Sequence, residues 1–261
     1  MRLLLRTTRG LRPTEAGWNF YERAKRSIEE ADGVELAARG AAATLSGRLC
    51  IHATVAFGCL HVIPRLPSFL AQHPALDADV VLDDRNIDLV GAGIDIGLRV
   101  GQLVNSALTA RKIAQCERSV IGTPSYFKAA GVPRIPADLV RHQVIIYEQP
   151  LGSPTWIFRQ GAAEASISLG GRVRLNTTVG VRSCVLADLG VAIASEWTFA
   201  PELRTKTVRA VLTDWTLPPV DLWAIFPTGR QTSAKARTFA SFIESQMLNP
   251  DRFRQQMGAE N

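Results

Sequence analysis

No stretch of this sequence reaches the roughly 18 consecutive apolar residues that a membrane-spanning helix needs, so no membrane partner is expected. The N-terminus offers only Leu3-Leu4-Leu5, with no longer apolar core and no small-residue cleavage site, which argues against an export signal. Cysteine is sparse. Cys50, Cys59, Cys116 and Cys184 are scattered without a CxxC pair and read as reduced thiols of a cytoplasmic protein. No GxSxG elbow occurs, and the four histidines have no evident carboxylate partner in sequence, so no catalytic constellation supports an enzyme. Cys50-x-His52 and Cys59-x-His61 invite a metal reading. The second pair falls at a helix start, where residues two apart point about 200° from each other, so neither a metal nor another cofactor is expected. No internal repeat or low-complexity segment is evident.

What is present is ordinary globular composition, 46% hydrophobic and 21% charged over 261 residues, enough for a sizeable core. Net charge is +6, and it is local. The first twelve residues carry Arg2, Arg6, Arg9 and Arg12 without an acid, which leaves +2 for the rest. That concentration points to one phosphate-facing element; a basic tail is the plainer alternative.

Residues 2–12 read as two extended pieces around Arg9-Gly10. Thr14 then caps a helix start, with Glu15 favouring its positive end. Tyr21, Ala24, Ile28, Ala31, Val34 and Ala38 recur at three- and four-residue steps, forming a narrow apolar stripe on a long helix. Such a stripe has to be buried against another helix. After Gly47, strands and helices alternate. Strands are expected at 48–53, 76–82, 95–99, 108–114, 119–122, 144–147, 156–158, 173–175, 191–195 and 222–226. Helices are expected at 57–72 (bent by Pro64 and Pro67), 87–92, from 124, 179–189 and 235–246. The alternation predicts an α/β fold with mostly parallel sheets.

Leu3-Leu4-Leu5-Arg6-Thr7-Thr8-Arg9-Gly10-Leu11-Arg12-Pro13-Thr14-Glu15-Ala16-Gly17 closely resembles the wing and linker-helix start of LysR-type bacterial transcription regulators. The match continues through Gly47-Arg48-Leu49, Ile94-Asp95-Ile96-Gly97-Leu98-Arg99-Val100-Gly101, Ser119-Val120-Ile121-Gly122-Thr123-Pro124-Ser125-Tyr126 and Ala187-Asp188-Leu189-Gly190-Val191-Ala192-Ile193, covering residues 3 to about 246.

The resemblance implies a cytoplasmic, ligand-responsive regulator of transcription. It implies a two-lobed α/β domain of the type 2 periplasmic-binding-protein-like fold, preceded by a long dimerisation helix. Residues 1–13 would be the wing remnant and 14–46 the linker helix. Residues 47–246 would be the effector-binding domain, with lobe I at 47–118 and 222–246, lobe II at 119–221, and a tail at 247–261. Arg6, Thr7, Thr8, Arg9 and Arg12 would touch the DNA backbone. Tyr21, Ala24, Ile28 and Ala31 would form the homo-oligomer contact, in a dimer or tetramer. The family's helix-turn-helix lies just before the wing, where this sequence has only Met1. DNA reading is therefore expected only in a full-length form or through a complete partner subunit. A solute-binding protein of the same two-lobed fold is the alternative, weakened by the missing export signal and the purposeless linker helix.

Ligands of open α/β sheets sit beyond the carboxyl ends of strands. Three strand-to-helix junctions end in small or hydroxyl residues: Thr54-Val55-Ala56, Thr123-Pro124-Ser125 and Asn176-Thr177-Thr178. Helix N-termini attract anions, so a small anionic effector is expected at Thr54, Val55, Ala56, Thr123, Ser125, Asn176, Thr177 and Thr178, with Arg99 and Gly101 after a further strand. The same hydroxyls are equally at home as plain helix caps. The family's hydroxyl before the first-lobe helix corresponds to Ala56 here. Asp83-Asp84 reads as a solvated pair whose side chains point apart, and Trp156, Trp197, Trp215 and Trp223 read as core.

Overall fold

The computed structural model describes residues 3–7, 10–21, 23–24, 45–103, 109–148, 155–227 and 232–248. It opens with an antiparallel hairpin of β1 (Leu4–Thr7) and β2 (Gly10–Pro13), in register from Leu4↔Pro13 to Thr7↔Gly10. Thr8 and Arg9 lie outside the described residues. A helix α1 follows, described at 15–21 and 23–24. Thr14 caps it: its hydroxyl accepts from the Gly17 N–H at 2.9 Å and donates to the Leu3 carbonyl at 3.2 Å. Gly17 is required here, because a Cβ would lie 1.8 Å from the Leu3 oxygen. Trp18, Phe20 and Tyr21 are exposed and Ala24 is half-buried. Ile28 and Ala31 fall outside the described residues, as does most of the predicted linker helix.

The next elements build a five-stranded sheet. β3 (Ser46–Ala53) runs parallel to β4 (Ala75–Leu82) and to β5 (Ile96–Val100). β14 (Val220–Phe226) is antiparallel to both β5 and β6 (Thr109–Cys116). Alternation along β3 sends Leu49, Ile51 and Ala53 into one core with Phe57, Phe69, Phe239 and Ile243. Helix α7 (Ala234–Leu248) supplies the last two. The opposite face is closed by Leu89 and Ile94 against Ile225.

The helical segment after β3 is not one regular helix. It begins as α2 (Val55–Phe57), widens to a π-helical turn at Gly58–Val62, tightens to a 3₁₀ turn at Ile63–Arg65 and ends as α3 (Leu66–Gln72). Pro64 and Pro67 cannot donate backbone hydrogen bonds, which accounts for the break the sequence predicts. The predicted helix at 87–92 is absent. Asp88 turns its carboxylate onto the Val90 N–H at 3.0 Å, and Gly91 and Gly93 follow, so the segment closes one turn and stops.

The chain leaves this sheet between Cys116 and Arg118 and returns between Val211 and Val220. In between stand three small sheets. β7 (Arg118–Gly122) is flanked by β12 (Ala192–Ser195) and β13 (Arg209–Val211), both antiparallel to it. β8 (Ile145–Tyr147) and β11 (Val173–Leu175) are parallel, and β9 (Thr155–Gln160) and β10 (Ala163–Ser168) form a hairpin. Helices α4 (Pro124–Ala130), α5 (Thr178–Leu186) and α6 (Ala200–Thr205) pack around them. The expectation of mostly parallel sheets is therefore corrected to mixed ones. The cause is the double crossing. β14 enters beside the end of β6, with Val220 opposite Cys116, so it must run the other way. β12 likewise ends where β7 begins, with Ser195 opposite Arg118.

Candidate functional site

Between the five-stranded sheet and the small sheets lies a cavity of about 310 Å³, the size of a metabolite site. Strand direction decides what reaches it. β3, β4 and β5 end there and deliver Thr54, Asp84 and Gly101. From the other side β8 and β12 also end there, bringing Tyr147 and Ser195, and Thr178 follows β11. β7 runs the opposite way. Its first residue, Arg118, lines the cavity, and its far end, at Thr123, does not.

The expected ligand residues accordingly divide. Thr54, Ala56, Gly101 and Thr178 line the cavity. Val55, Arg99 and Thr177 are chain neighbours of lining residues, and Asn176 is two residues from Thr178, but none of the four lines the cavity. The Val55 N–H is already used, donating to Asp84 Oδ1 at 2.9 Å. Arg99 donates to the Arg85 carbonyl at 3.2 Å, and burial lowers its guanidinium pKa, with Tyr147 opposing. Thr123 and Ser125 stand apart from the cavity. The Thr123 hydroxyl accepts from the Tyr126 N–H at 3.1 Å and donates to the Asp188 carboxylate, so it is a helix cap with both functions filled.

Other lining residues carry more of the chemistry. The Arg118 guanidinium lies 5.3 Å from the centre of the Trp156 ring, a cation–π contact. Burial alone lowers its pKa, and among the described residues no carboxylate pairs with it. Asp84 turns inward while its neighbour Asp83 turns out onto Arg85. Hydrogen bonds from Arg85 hold the Asp83 pKa at about 2. Asp84 itself has no cationic partner among the described residues. The sequence reading put both aspartates in solvent and missed Arg118 as a ligand candidate; its place at a sheet-to-sheet crossing was the available signal.

His61 is buried in the cavity wall. Its Nε2 lies 2.8 Å from the Trp197 carbonyl and Nδ1 has no partner. A carbonyl can only accept, so Nε2 carries the proton and Nδ1 is a bare acceptor. Burial pushes the pKa down to about 4, against the bond to Trp197, and Arg65 lowers it further. The Trp197 ring packs 5.7 Å from Phe57 and belongs to the rim of the first core, although it follows β12. Cys59 is exposed, so it diverges from His61. Among the described residues no three His, Cys, Asp or Glu side chains converge on a possible metal position, and no helix is long and apolar enough to cross a membrane.

Comparison with known proteins gives a consistent picture. Residues 42–248 match the family model described as the LysR substrate binding domain. A regulator from Pseudomonas aeruginosa, the HTH-type transcriptional regulator PtxR, is 32% identical over 248 residues, spanning 94% of this chain and 78% of that protein. An HTH-type transcriptional regulator of Haemophilus influenzae is 28% identical over 234 residues, spanning 90% of this chain and 81% of its own length. Among solved structures, CrgA of Neisseria meningitidis superposes with a TM-score of 0.71 at 23% identity, covering 95% of this chain and 84% of CrgA.

Proposed function

From the premise that this chain belongs to the LysR family of transcription regulators, we propose that the cavity is its effector site and that Arg118 anchors an anionic group of the effector. The solute-binding alternative is not favoured, since the relatives are transcription regulators. The observation that carries the assignment is a half-buried guanidinium that lines the cavity and is ion-paired with no carboxylate among the described residues. An ion kept from water in this way is costly unless something completes its pairing. Thr54, Gly101 and Thr178 supply polar positions around it and Ala56 part of the wall.

In this reading residues 47–118 with 222–246 and residues 119–221 act as two lobes that close on the effector. Closure re-aims the linker helix of residues 14–46, which pairs with a second copy through Tyr21, Ala24, Ile28 and Ala31. Arg6, Thr7, Thr8, Arg9 and Arg12 lie along the DNA backbone in the DNA-bound form. The protein works in the cytoplasm and catalyses no reaction; its output is a shift between two assemblies, driven by the effector's preference for one of them. The test is thermal unfolding of the full chain against small carboxylates. A ligand at a hundred times its dissociation constant stabilises by about 2.7 kcal/mol. Arg118→Gln should raise the half-saturating concentration at least tenfold. A ligand response that is indifferent to Arg118→Gln removes the anchor from this site.

A further inference from the structure

Among the described lining residues two carry charge at neutral pH, and they have opposite signs. Arg118 comes from the start of β7 and Asp84 from the end of β4. Neither is ion-paired with the other or with any other described residue. Around them the wall is mostly apolar and aromatic: Phe57, Val100, Trp156, Ile157, Val181 and Trp197. Asp84 uses one oxygen, Oδ1, on the Val55 N–H, and its carboxylate has further lone pairs to offer. His61 lines the same wall as a neutral ring and adds no charge to it.

A simple anion would satisfy Arg118 and leave Asp84, a like charge lining the same cavity, without a counter-ion. A simple cation would do the reverse. A molecule bearing both charges on one apolar body completes both at once and leaves the site neutral. Accepting on one wall and donating on the other, the two faces would also fix its orientation. We propose that the effector is a zwitterion of amino-acid type, its carboxylate at Arg118, its ammonium at Asp84, and an apolar or aromatic side chain against the tryptophans. This rests on the cavity being the effector site. It narrows the effector from any anion to one that also carries a cationic donor.

The experiment titrates the full chain with each of the twenty proteinogenic L-amino acids, following the melting temperature. The strongest responders are then compared with two analogues of the same side chain, one lacking the amine and one lacking the carboxylate. The amino acid should half-saturate at a concentration at least tenfold below either analogue. Asp84→Asn keeps an acceptor for the Val55 N–H, so its helix start is preserved. It should erase most of the preference for the amino acid over the amine-free analogue. An amine-free carboxylate that binds as well as or better than the amino acid would overturn the zwitterion while leaving the cavity as an anion-binding effector site. Amino acids that bind with the same preference in Asp84→Asn would overturn the role of Asp84. If neither amino acids nor their analogues shift the melting temperature, the zwitterion is overturned; if the small carboxylates tested against Arg118→Gln fail as well, the effector-site reading falls with it.

Discussion

The two halves of the α/β region solve the same packing problem differently. The half containing β3 spreads one sheet of five strands under α3 and α7, with one large cluster running from Leu49 to Ile243 and a small one at Leu89, Ile94 and Ile225 on the opposite face. The half containing β7 divides its strands among three sheets and its core between two clusters. Long strands tie distant residues into one cooperative block, whereas short ones leave joints that can give. The cavity sits where the continuous half meets the divided one, a place suited to the closure proposed above.

The largest effect expected from this contrast is in the cores. Phe69 is buried between the rings of Phe239 at 5.0 Å and Phe242 at 5.1 Å. Phe69→Ala should cost about 3–5 kcal/mol. Phe158 is equally buried, but it stands on a two-stranded hairpin that can settle into the space left behind. Phe158→Ala should fall at the lower end of that range, near 3 kcal/mol. Urea unfolding of both variants decides; equal losses would show that the divided half is as continuous as the other.

The next effect concerns the contact between the halves. His61 has a pKa lowered from 6.5 to about 4 in the folded chain. Its contribution is complete above pH 6.5. As pH falls the unfolded histidine takes up a proton that the folded one refuses, so stability declines and levels off below about pH 4. The loss is on the order of 3 kcal/mol. His61→Gln should flatten the profile in this window; an unchanged slope would place the titration elsewhere.

The smallest effect separates a cap from a ligand contact. Thr123→Val should lower the ligand-free melting point, at about 1 kcal/mol, and leave the half-saturating ligand concentration unchanged. Thr178→Val, in the cavity wall, should move that concentration. The opposite pattern would relocate the site to the β7–α4 junction.

Legibility in the sequence followed local rules and stopped where direction mattered. β3, β14 and α7 were readable because their apolar periodicity survives whatever they pack against. β10 (Ala163–Ser168) was missed because it is largely exposed and carries little apolar signal, and β13 (Arg209–Val211) because three residues are too few to show a period. Of the residues the junction rule picks, Thr54, Gly101 and Thr178 lie at strand ends opening on the cavity, and Thr123 does not line it because β7 is reversed. Strand direction within a sheet is a property of the whole chain path. Asp84 and Arg118 escaped for a related reason: an acid next to an acid, and an arginine before a strand, look solvated until the second half folds over them.

The two passages between the halves lie side by side, with Cys116 at the end of one opposite Val220 at the start of the other. A lone connecting strand would act as a swivel, free in torsion as well as in bending. Two hydrogen-bonded strands behave as a flat spring, stiff to twist and compliant to flexure. In the proposed closure the relative motion would then approach a single rotational coordinate, along which cavity width and the His61–Trp197 separation would change together. An effector that set the width of the cavity would set the angle between the halves, and molecular size would be reported as an angle.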